Sequence, residues 1–276
     1  MKRIVTVQDI SCVGKCSLTV ALPLISAMGV ECAILPTAVL STHTMFKGFT
    51  CKDLTDEFKP IAAHWKKEQL GFDGIYTGYL GSLEQIDLVK ELFADFRAEG
   101  GLCFVDPAMA DNGKLYPAFD EAFAKHMLSL CAQADIIVPN ITEACFMTDT
   151  DYRSEYDEEY AKALLIKLSE SCKGICVLTG VGFEPGKTGV MSYDVKSGEF
   201  YYYCHDKLPI SYHGTGDIFS SVCFGALVRG LELKDAVKLA ADYTAECIRV
   251  TGEDPAKPWY GVNFEQVIPQ LVEKLK

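Results

Sequence analysis

The sequence lacks the short motifs that most readily identify a function. Its 276 residues include twelve cysteines but no Cys-x-x-Cys pair, and no Gly-x-Gly-x-x-Gly fingerprint is present. The segment 180–189, GVGFEPGKTG, resembles a phosphate-binding loop. However, Val181 stands where that loop needs glycine, and a strand-like run follows where it needs a helix. These absences argue against a zinc-thiolate domain, a Rossmann dehydrogenase and a P-loop nucleotidase.

Positive charge is also scarce. Lys and Arg number 26 against 38 Asp and Glu, which gives a formal net charge of −12. Such a surface repels nucleic acid and anionic lipid. An anionic small molecule would therefore need local positive potential from helix N-termini, backbone amides or a bound cation.

Long apolar runs are missing as well. Lys2 and Arg3 precede an apolar region, but the segment 17–30 is too short to span a bilayer and contains Pro23. We therefore expect a cytoplasmic protein. Its scattered cysteines are expected to be reduced and mainly buried, as the apolar surroundings of Cys32, Cys103, Cys131 and Cys223 indicate.

What the chain does contain is a regular alternation of short β-rich runs and longer runs with helical spacing. This alternation predicts an α/β fold with a mostly parallel sheet covered by helices, and the absence of any linker predicts a single domain, 1–276. Strands are predicted within the segments 3–8, 31–38, 74–81, 102–107, 135–140 and 174–180. An antiparallel pair is predicted at 188–194 and 199–206. Predicted helices cover 17–29, 52–70, 83–99, 118–131, 157–171, 216–229, 234–250 and 263–275.

Polar side chains follow several of the predicted strands. Each has a structural alternative, since Asp106-Pro107 is a common turn opener and Asn140 could cap a helix. In open α/β sheets, however, ligands bind beyond the carboxyl ends of the strands. We therefore expect a site at the rim that carries Asp9, Thr77, Tyr79, Asp106, Asn140 and Thr179.

The segment 212–230, YHGTGDIFSSVCFGALVRG, combines a glycine-rich turn with a helical pattern. Backbone N–H groups around Gly214, Thr215 and Gly216 can bind an anion. Asp217 has two interpretations: a first-turn helix cap, or a base that removes a proton from a hydroxyl while phosphate is transferred to it. Two histidines lie in polar loops, His43 and, beside the turn, His213.

Five motifs occur in order along nearly the whole chain: STHT (41–44), TGYLGS (77–82), DPAMAD (106–111), ADIIVPNITEA (134–144) and HGTGD (213–217). In this respect the sequence resembles the pyridoxal kinases of the ribokinase superfamily. The resemblance implies a ribokinase-like three-layer α/β/α fold with a small antiparallel extension. It also implies ATP-dependent phosphorylation of the 5′-hydroxymethyl group of pyridoxal, pyridoxamine or pyridoxine. Magnesium, a monovalent cation such as K⁺ and a homodimer are further expectations.

By the same resemblance, Asp217 is the catalytic base, and Gly214, Thr215 and Gly216 form the anion hole, with Thr215 and Gly216 also contacting the nucleotide.

Acidic and amide positions are expected around the nucleotide. Asn140 and Glu143 resemble the pair that supports magnesium and its water shell. Asp106 and Asp111 match acidic positions near the phosphates and cations, with Asp106 also near the metal, and Thr179 resembles a nucleotide contact.

Around the vitamin ring, Thr44 and Tyr79 match binding positions, with His43 beside them. Many pyridoxal kinases have a serine after the first strand, where this sequence has Asp9, and Ser11 could compensate. This departure leaves hydroxymethylpyrimidine open as the substrate. A sugar kinase of the same fold is a weaker alternative, and a vitamin-binding protein without turnover is an alternative of another class.

Overall fold

The computed structural model describes residues 1–276. The strands are β1 (Arg3–Ser11), β2 (Glu31–Leu40), β3 (Cys51–Asp53), β4 (Phe72–Thr77), β5 (Arg97–Val105), β6 (Ala110–Asp111), β7 (Lys114–Leu115), β8 (Ile136–Ile137), β9 (Ile175–Val181), β10 (Lys187–Asp194) and β11 (Glu199–Asp206). The helices are α1 (Leu18–Ala27), α2 (Thr55–Lys67), α3 (Leu83–Phe96), α4 (Glu121–Cys131), α5 (Ile141–Thr148), α6 (Glu158–Ser169), α7 (Thr215–Val228), α8 (Leu233–Glu253) and α9 (Ile268–Lys274).

The chain forms two compact units. Unit 1 consists of Met1–Tyr76 and Leu208–Lys276, and unit 2 consists of Thr77–Lys207. The expectation of one domain stays a prediction, and each unit is described by itself.

Unit 1 is built on strands in the order β4-β1-β2-β3. β1 and β2 are parallel, and their register begins with Arg3 opposite Glu31. The short β3 pairs antiparallel with β2. Helix α7 packs so closely that a Cβ on Gly74 of β4 would lie 2.6 Å from Cζ of Phe224. Glycine is therefore the residue that permits this contact between helix and strand.

Unit 2 carries strands in the order β5-β8-β9-β10-β11. β5, β8 and β9 are parallel, whereas β10 pairs antiparallel with both β9 and β11. The α/β class, the mostly parallel strands and the antiparallel extension are thereby confirmed. Because β10 follows the glycine-rich loop 182–186, the prediction that this loop does not lead into a helix is also confirmed.

Side-chain caps explain where the helices of unit 2 begin. Ser82, Asp120 and Asp157 accept hydrogen bonds from backbone N–H groups three residues ahead, at the first turns of α3, α4 and α6. Such caps satisfy donors that a helix leaves without an intrahelical partner. Hydroxyl and carboxylate side chains at these positions therefore set the helix boundaries.

Several predicted boundaries were wrong. The sequence predictions omitted helix α5 and the short strands β3, β6 and β7, and they continued helix α3 through residues that begin β5. Asp9 lies within β1 rather than after it. The missed strands β3, β6 and β7 are only two or three residues long, too short to show a periodic pattern.

The cysteines are free, as expected, and most are buried; Cys32 and Cys204 are half-buried, and Cys12 and Cys51 are exposed. No helix combines the length and apolar character needed to cross a membrane.

Candidate active site

The glycine turn of unit 1 leads directly into helix α7. Gly214 has φ 82° and is the N-cap, and as a glycine it has no side chain with which to cap the helix. A Cβ on Gly214 would approach the Lys15 carbonyl oxygen closer than 3.0 Å, whereas one on Gly216 would meet no atom within 4 Å. Glycine is thus required at 214, and the first-turn N–H groups of α7 form a cradle suited to an anion.

Asp217 lies in the first turn of α7 and is half-buried. Its carboxylate is close enough to the buried Cys16 to influence it. Burial chiefly raises the pKa of the Cys16 thiol, and the charges of Asp217 and then Asp9 raise it further. A carboxylate therefore lies next to the anion cradle, within electrostatic reach of the loop that precedes α1.

Asp9 anchors a buried hydrogen-bond network. Its side chain is only 5% exposed, and its two carboxylate oxygens accept from the Ser17 hydroxyl at 2.6 Å and the Ser11 hydroxyl at 3.0 Å. Burial raises the pKa of Asp9, although the bonds from Ser17 and Ser11 oppose that shift. The predicted binding residues Asp9 and Ser11 therefore contact each other.

His43 is buried between the loops that follow β2 and α8. Its Nδ1 accepts from the Met45 N–H, so Nε2 carries the proton and donates to the Tyr260 carbonyl at 3.0 Å. The His213 ring lies 4.4 Å away, and burial, followed by the influence of His43, lowers the pKa of His213 to about 4. A neutral imidazole therefore borders the glycine turn at physiological pH. The neighbouring Thr44 is exposed.

In unit 2, Asn140 and Glu143 form a capping box at the start of α5. Asn140 Oδ1 accepts from Glu143 N at 2.9 Å, and Glu143 Oε2 accepts from Asn140 N at 2.8 Å. Asn140 Nδ2 donates to the Ala110 carbonyl, and Met109 N donates to Glu143 Oε1. The prediction that Asn140 could cap a helix is therefore confirmed. The reciprocal bonds of the capping box also fix the position of the Glu143 side chain.

Asp106 and Glu143 form a buried acidic pair. Burial, followed by the charge of Asp106, raises the pKa of Glu143 to about 8. Asp106 is 9% exposed and Glu143 3%. No group of three or more His, Cys, Asp and Glu side chains is arranged to hold a metal ion. Nevertheless, two repelling carboxyl groups supply the hard oxygen donors that Mg²⁺ prefers, together with water ligands. Because the pair alone is smaller than a metal-binding cluster, magnesium would also need water or phosphate oxygens as ligands here.

The other predicted residues of unit 2 lie at strand ends. An isolated β-bridge joins Asn140 to Thr179, and Asp106 N donates to the Thr77 carbonyl. Asp111 is exposed in β6, and the half-buried Tyr79 ring lies 5.3 Å from Phe119. Asn140, Glu143, Asp106 and Thr179 are thus brought together within this unit.

Ser17 and Lys15 lie beside the candidate site residues and were not singled out from the sequence. Both lie between β1 and α1, and the hydroxyl of Ser17 contacts Asp9. A signal was available in the segment VGKCS, where glycine and serine directly precede a helical pattern. The left-handed backbone of Lys15 and Ser17 has no such signal.

Comparison with known proteins identifies the family. The family model for phosphomethylpyrimidine kinase matches residues 22–259, most of the chain. The chain belongs to this family. It is a kinase of the ribokinase-like fold, and the recognition made from its motifs is confirmed.

Two solved structures cover nearly all of the protein. A Bacteroides thetaiotaomicron protein classed with the phosphomethylpyrimidine kinases is 40% identical, with a TM-score of 0.94 over 98% of this chain and 93% of its own. That protein was also solved with pyridoxal. Pyridoxal kinase from Lactobacillus plantarum is 30% identical, with a TM-score of 0.92 over 99% of this chain and 98% of its own.

A Staphylococcus aureus relative classed as a pyridoxine kinase is 28% identical over 184 residues. That match covers 65% of this chain and 64% of the relative.

Proposed function

We propose that this kinase uses ATP to phosphorylate the 5′-hydroxymethyl group of the vitamin B6 vitamers pyridoxal, pyridoxamine and pyridoxine. The observation that carries the proposal is the glycine N-cap of α7 with Asp217 in the first turn. The 40% identical relative solved with pyridoxal supports the choice of substrate.

In the proposed reaction, Asp217 accepts the proton of the acceptor hydroxyl as that oxygen attacks the terminal phosphorus of ATP. The bond between this phosphorus and its bridging oxygen breaks, and ADP leaves with that oxygen. A positioned base contributes roughly 10²–10⁴ in rate. The N–H groups around Gly214, Thr215 and Gly216 bind the oxygens of the transferred group. Donors that are fixed before the reaction stabilise the charge that develops in its transition state.

Residues of unit 2 are proposed to serve the nucleotide. Asp106 and Glu143 would hold magnesium, Glu143 through the metal's water shell, while Asn140 keeps Glu143 in place through the capping box. Magnesium would supply the positive charge that neutralises the phosphates. Asp111 and Thr179 are proposed to contact the nucleotide.

The ring-binding residues are proposed to be Asp9, Ser11, His43 and Thr44 of unit 1, with Tyr79 of unit 2. The fixed tautomer of His43, which donates to the Tyr260 carbonyl, supports a stable loop conformation beside the glycine turn.

A second candidate substrate is hydroxymethylpyrimidine. The matched family model and the name of the Bacteroides relative favour it, and Asp9 replaces the serine expected for a pyridoxal kinase. Hydroxymethylpyrimidine carries an amino-substituted ring and the same hydroxymethyl group, whose proton Asp217 could accept in the same way.

A coupled ADP-release assay across pyridoxal, pyridoxamine, pyridoxine and hydroxymethylpyrimidine tests the proposal. We expect magnesium-dependent ADP release with the vitamers and a lower kcat/KM with the pyrimidine. A higher kcat/KM with the pyrimidine would favour the second candidate. Binding of pyridoxal without ADP release would contradict the proposed catalysis and indicate a vitamin-binding protein.

A further inference from the structure

The β1–α1 loop, residues 12–17, has an unusual backbone. Two of its residues that are not glycine have positive φ, Lys15 at 51° and Ser17 at 50°. Residues with a Cβ rarely adopt such dihedrals unless the surrounding structure holds them there. Strained residues of this kind are concentrated at functional sites.

Two anchors hold this loop. Ser17 Oγ donates to Asp9 Oδ1 at 2.6 Å within the buried network. Lys15 Nζ donates to Glu265 Oε2 at 2.7 Å and to Asn263 Oδ1 at 3.2 Å. Each residue with left-handed backbone is therefore fixed by a hydrogen bond of its own side chain to a partner outside the loop.

The loop supports the glycine turn directly. The Lys15 carbonyl oxygen lies against Gly214, so closely that a Cβ there could not be accommodated. Cys16, the residue between the two strained positions, is influenced by the carboxylate of Asp217. Any relaxation of the loop would therefore be transmitted to the turn that begins α7.

Both oxygens of Asp9 are already engaged by serine hydroxyls, and its side chain is almost fully buried. A residue whose only role is to contact a ligand would not need this arrangement. We propose that Asp9, in addition to its proposed place beside the ring, is a positioning residue: through Ser17 it holds the β1–α1 loop in the strained conformation that fixes Gly214 and thereby Asp217. The inference rests on the proposed function of Asp217 as the base.

The two variants Ser17→Ala and Ser17→Gly form a matched pair. Both remove the hydroxyl that bonds Asp9, but only alanine keeps the Cβ that disfavours φ 50°. If Ser17 acts through the loop conformation, Ser17→Ala should lower kcat by at least about tenfold. Ser17→Gly should stay within about threefold of wild type, because glycine adopts positive φ readily.

The steady-state assay measures kcat and the vitamer KM for both variants. We expect the loss in Ser17→Ala to appear in kcat, with KM changed by less than about threefold, because an interaction made only in the transition state is weakened. Equal losses in the two variants, or no loss in either, would overturn the proposal. A lower melting temperature with unchanged kcat would show a purely structural role and would also overturn it.

A second experiment does not depend on turnover. Amide hydrogen exchange of the segment 212–218 should be faster in Ser17→Ala than in wild type, and close to wild type in Ser17→Gly. Equal exchange in all three proteins would overturn the proposal, even if the wild type showed no vitamer phosphorylation. Absence of turnover in the wild type would refute only the proposed function.

The double variant Asp9→Ala/Ser17→Gly tests Asp9 itself. It should recover part of the kcat lost in Asp9→Ala, since glycine removes the need for the anchor. An additive or larger loss would show that Asp9 does not act through Ser17.

Discussion

Replacing Gly214 by alanine should damage both the stability and the turnover of this kinase. The residue has φ 82°, and the added Cβ would clash with the Lys15 carbonyl oxygen. Left-handed backbone costs a residue with a Cβ about 1–2 kcal/mol. Overpacking a tight contact adds about 1–3 kcal/mol.

The free energy of unfolding should therefore fall by about 2–5 kcal/mol, as measured by urea denaturation. Relief of the clash would move the turn that carries Asp217. A displacement of about 1 Å at a reacting group can cost on the order of 10²-fold in rate. We accordingly expect kcat to fall by about 10- to 100-fold in the folded protein.

Gly198→Ala is the matched control for backbone strain. Gly198 has φ 72°, but a Cβ there would meet no atom within 4 Å. It should lose only about 1–2 kcal/mol and keep its kcat. If Gly214→Ala and Gly198→Ala lost equal stability and both retained full kcat, the close packing of the glycine turn would not matter and the reasoning would be refuted.

Two further predictions concern stability. The pKa of Glu143 is raised from 4.5 to about 8 in the folded protein. Between these two values the folded protein holds a proton that the unfolded chain has lost. In metal-free buffer the free energy of unfolding should therefore fall as the pH rises from about 5 to 8. Glu143→Gln should reduce this dependence of the unfolding free energy on pH by up to on the order of 1 kcal/mol per pH unit. Urea denaturation at pH 5.5 and 7.5 measures it. An unchanged slope would show that Glu143 does not have a raised pKa. Arg229 donates to the Met28 and Leu275 carbonyls at the ends of α1 and α9, so Arg229→Met should cost about 1–3 kcal/mol without changing kcat/KM. The exposed-pair control Lys238→Met should cost less than about 1 kcal/mol, and an equal cost in both variants would argue against the helix-end role.

Long elements with strong periodicity were predictable from sequence. The strand β1, the helix α3 and the helix α7 were each predicted from a continuous apolar pattern within a few residues of their observed ends. The glycine-rich turn before Asp217 was also predictable, because Gly214 and Gly216 directly precede a run of apolar residues with helical spacing.

The missed features depend on specific side-chain partners and on packing contacts, neither of which hydrophobic periodicity reveals. Asp9 was expected beyond its strand to face a ligand, but its oxygens accept from Ser11 and Ser17. The carbonyl of Lys15 supports Gly214 across about two hundred residues of chain. Local patterns carry no information about such packing, and positive φ in Lys15 and Ser17 opposes their intrinsic preferences.

The central claim is that Asp217 is the base, and the kcat of Asp217→Asn tests it most directly. Asparagine keeps the shape of the side chain but cannot accept the hydroxyl proton. We predict a loss of about 10²–10⁴-fold in kcat, with ATP affinity and melting temperature close to wild type. A kcat near that of wild type would contradict the account. So would early melting with kcat preserved in the folded fraction, because Asp217 would then serve only to cap helix α7.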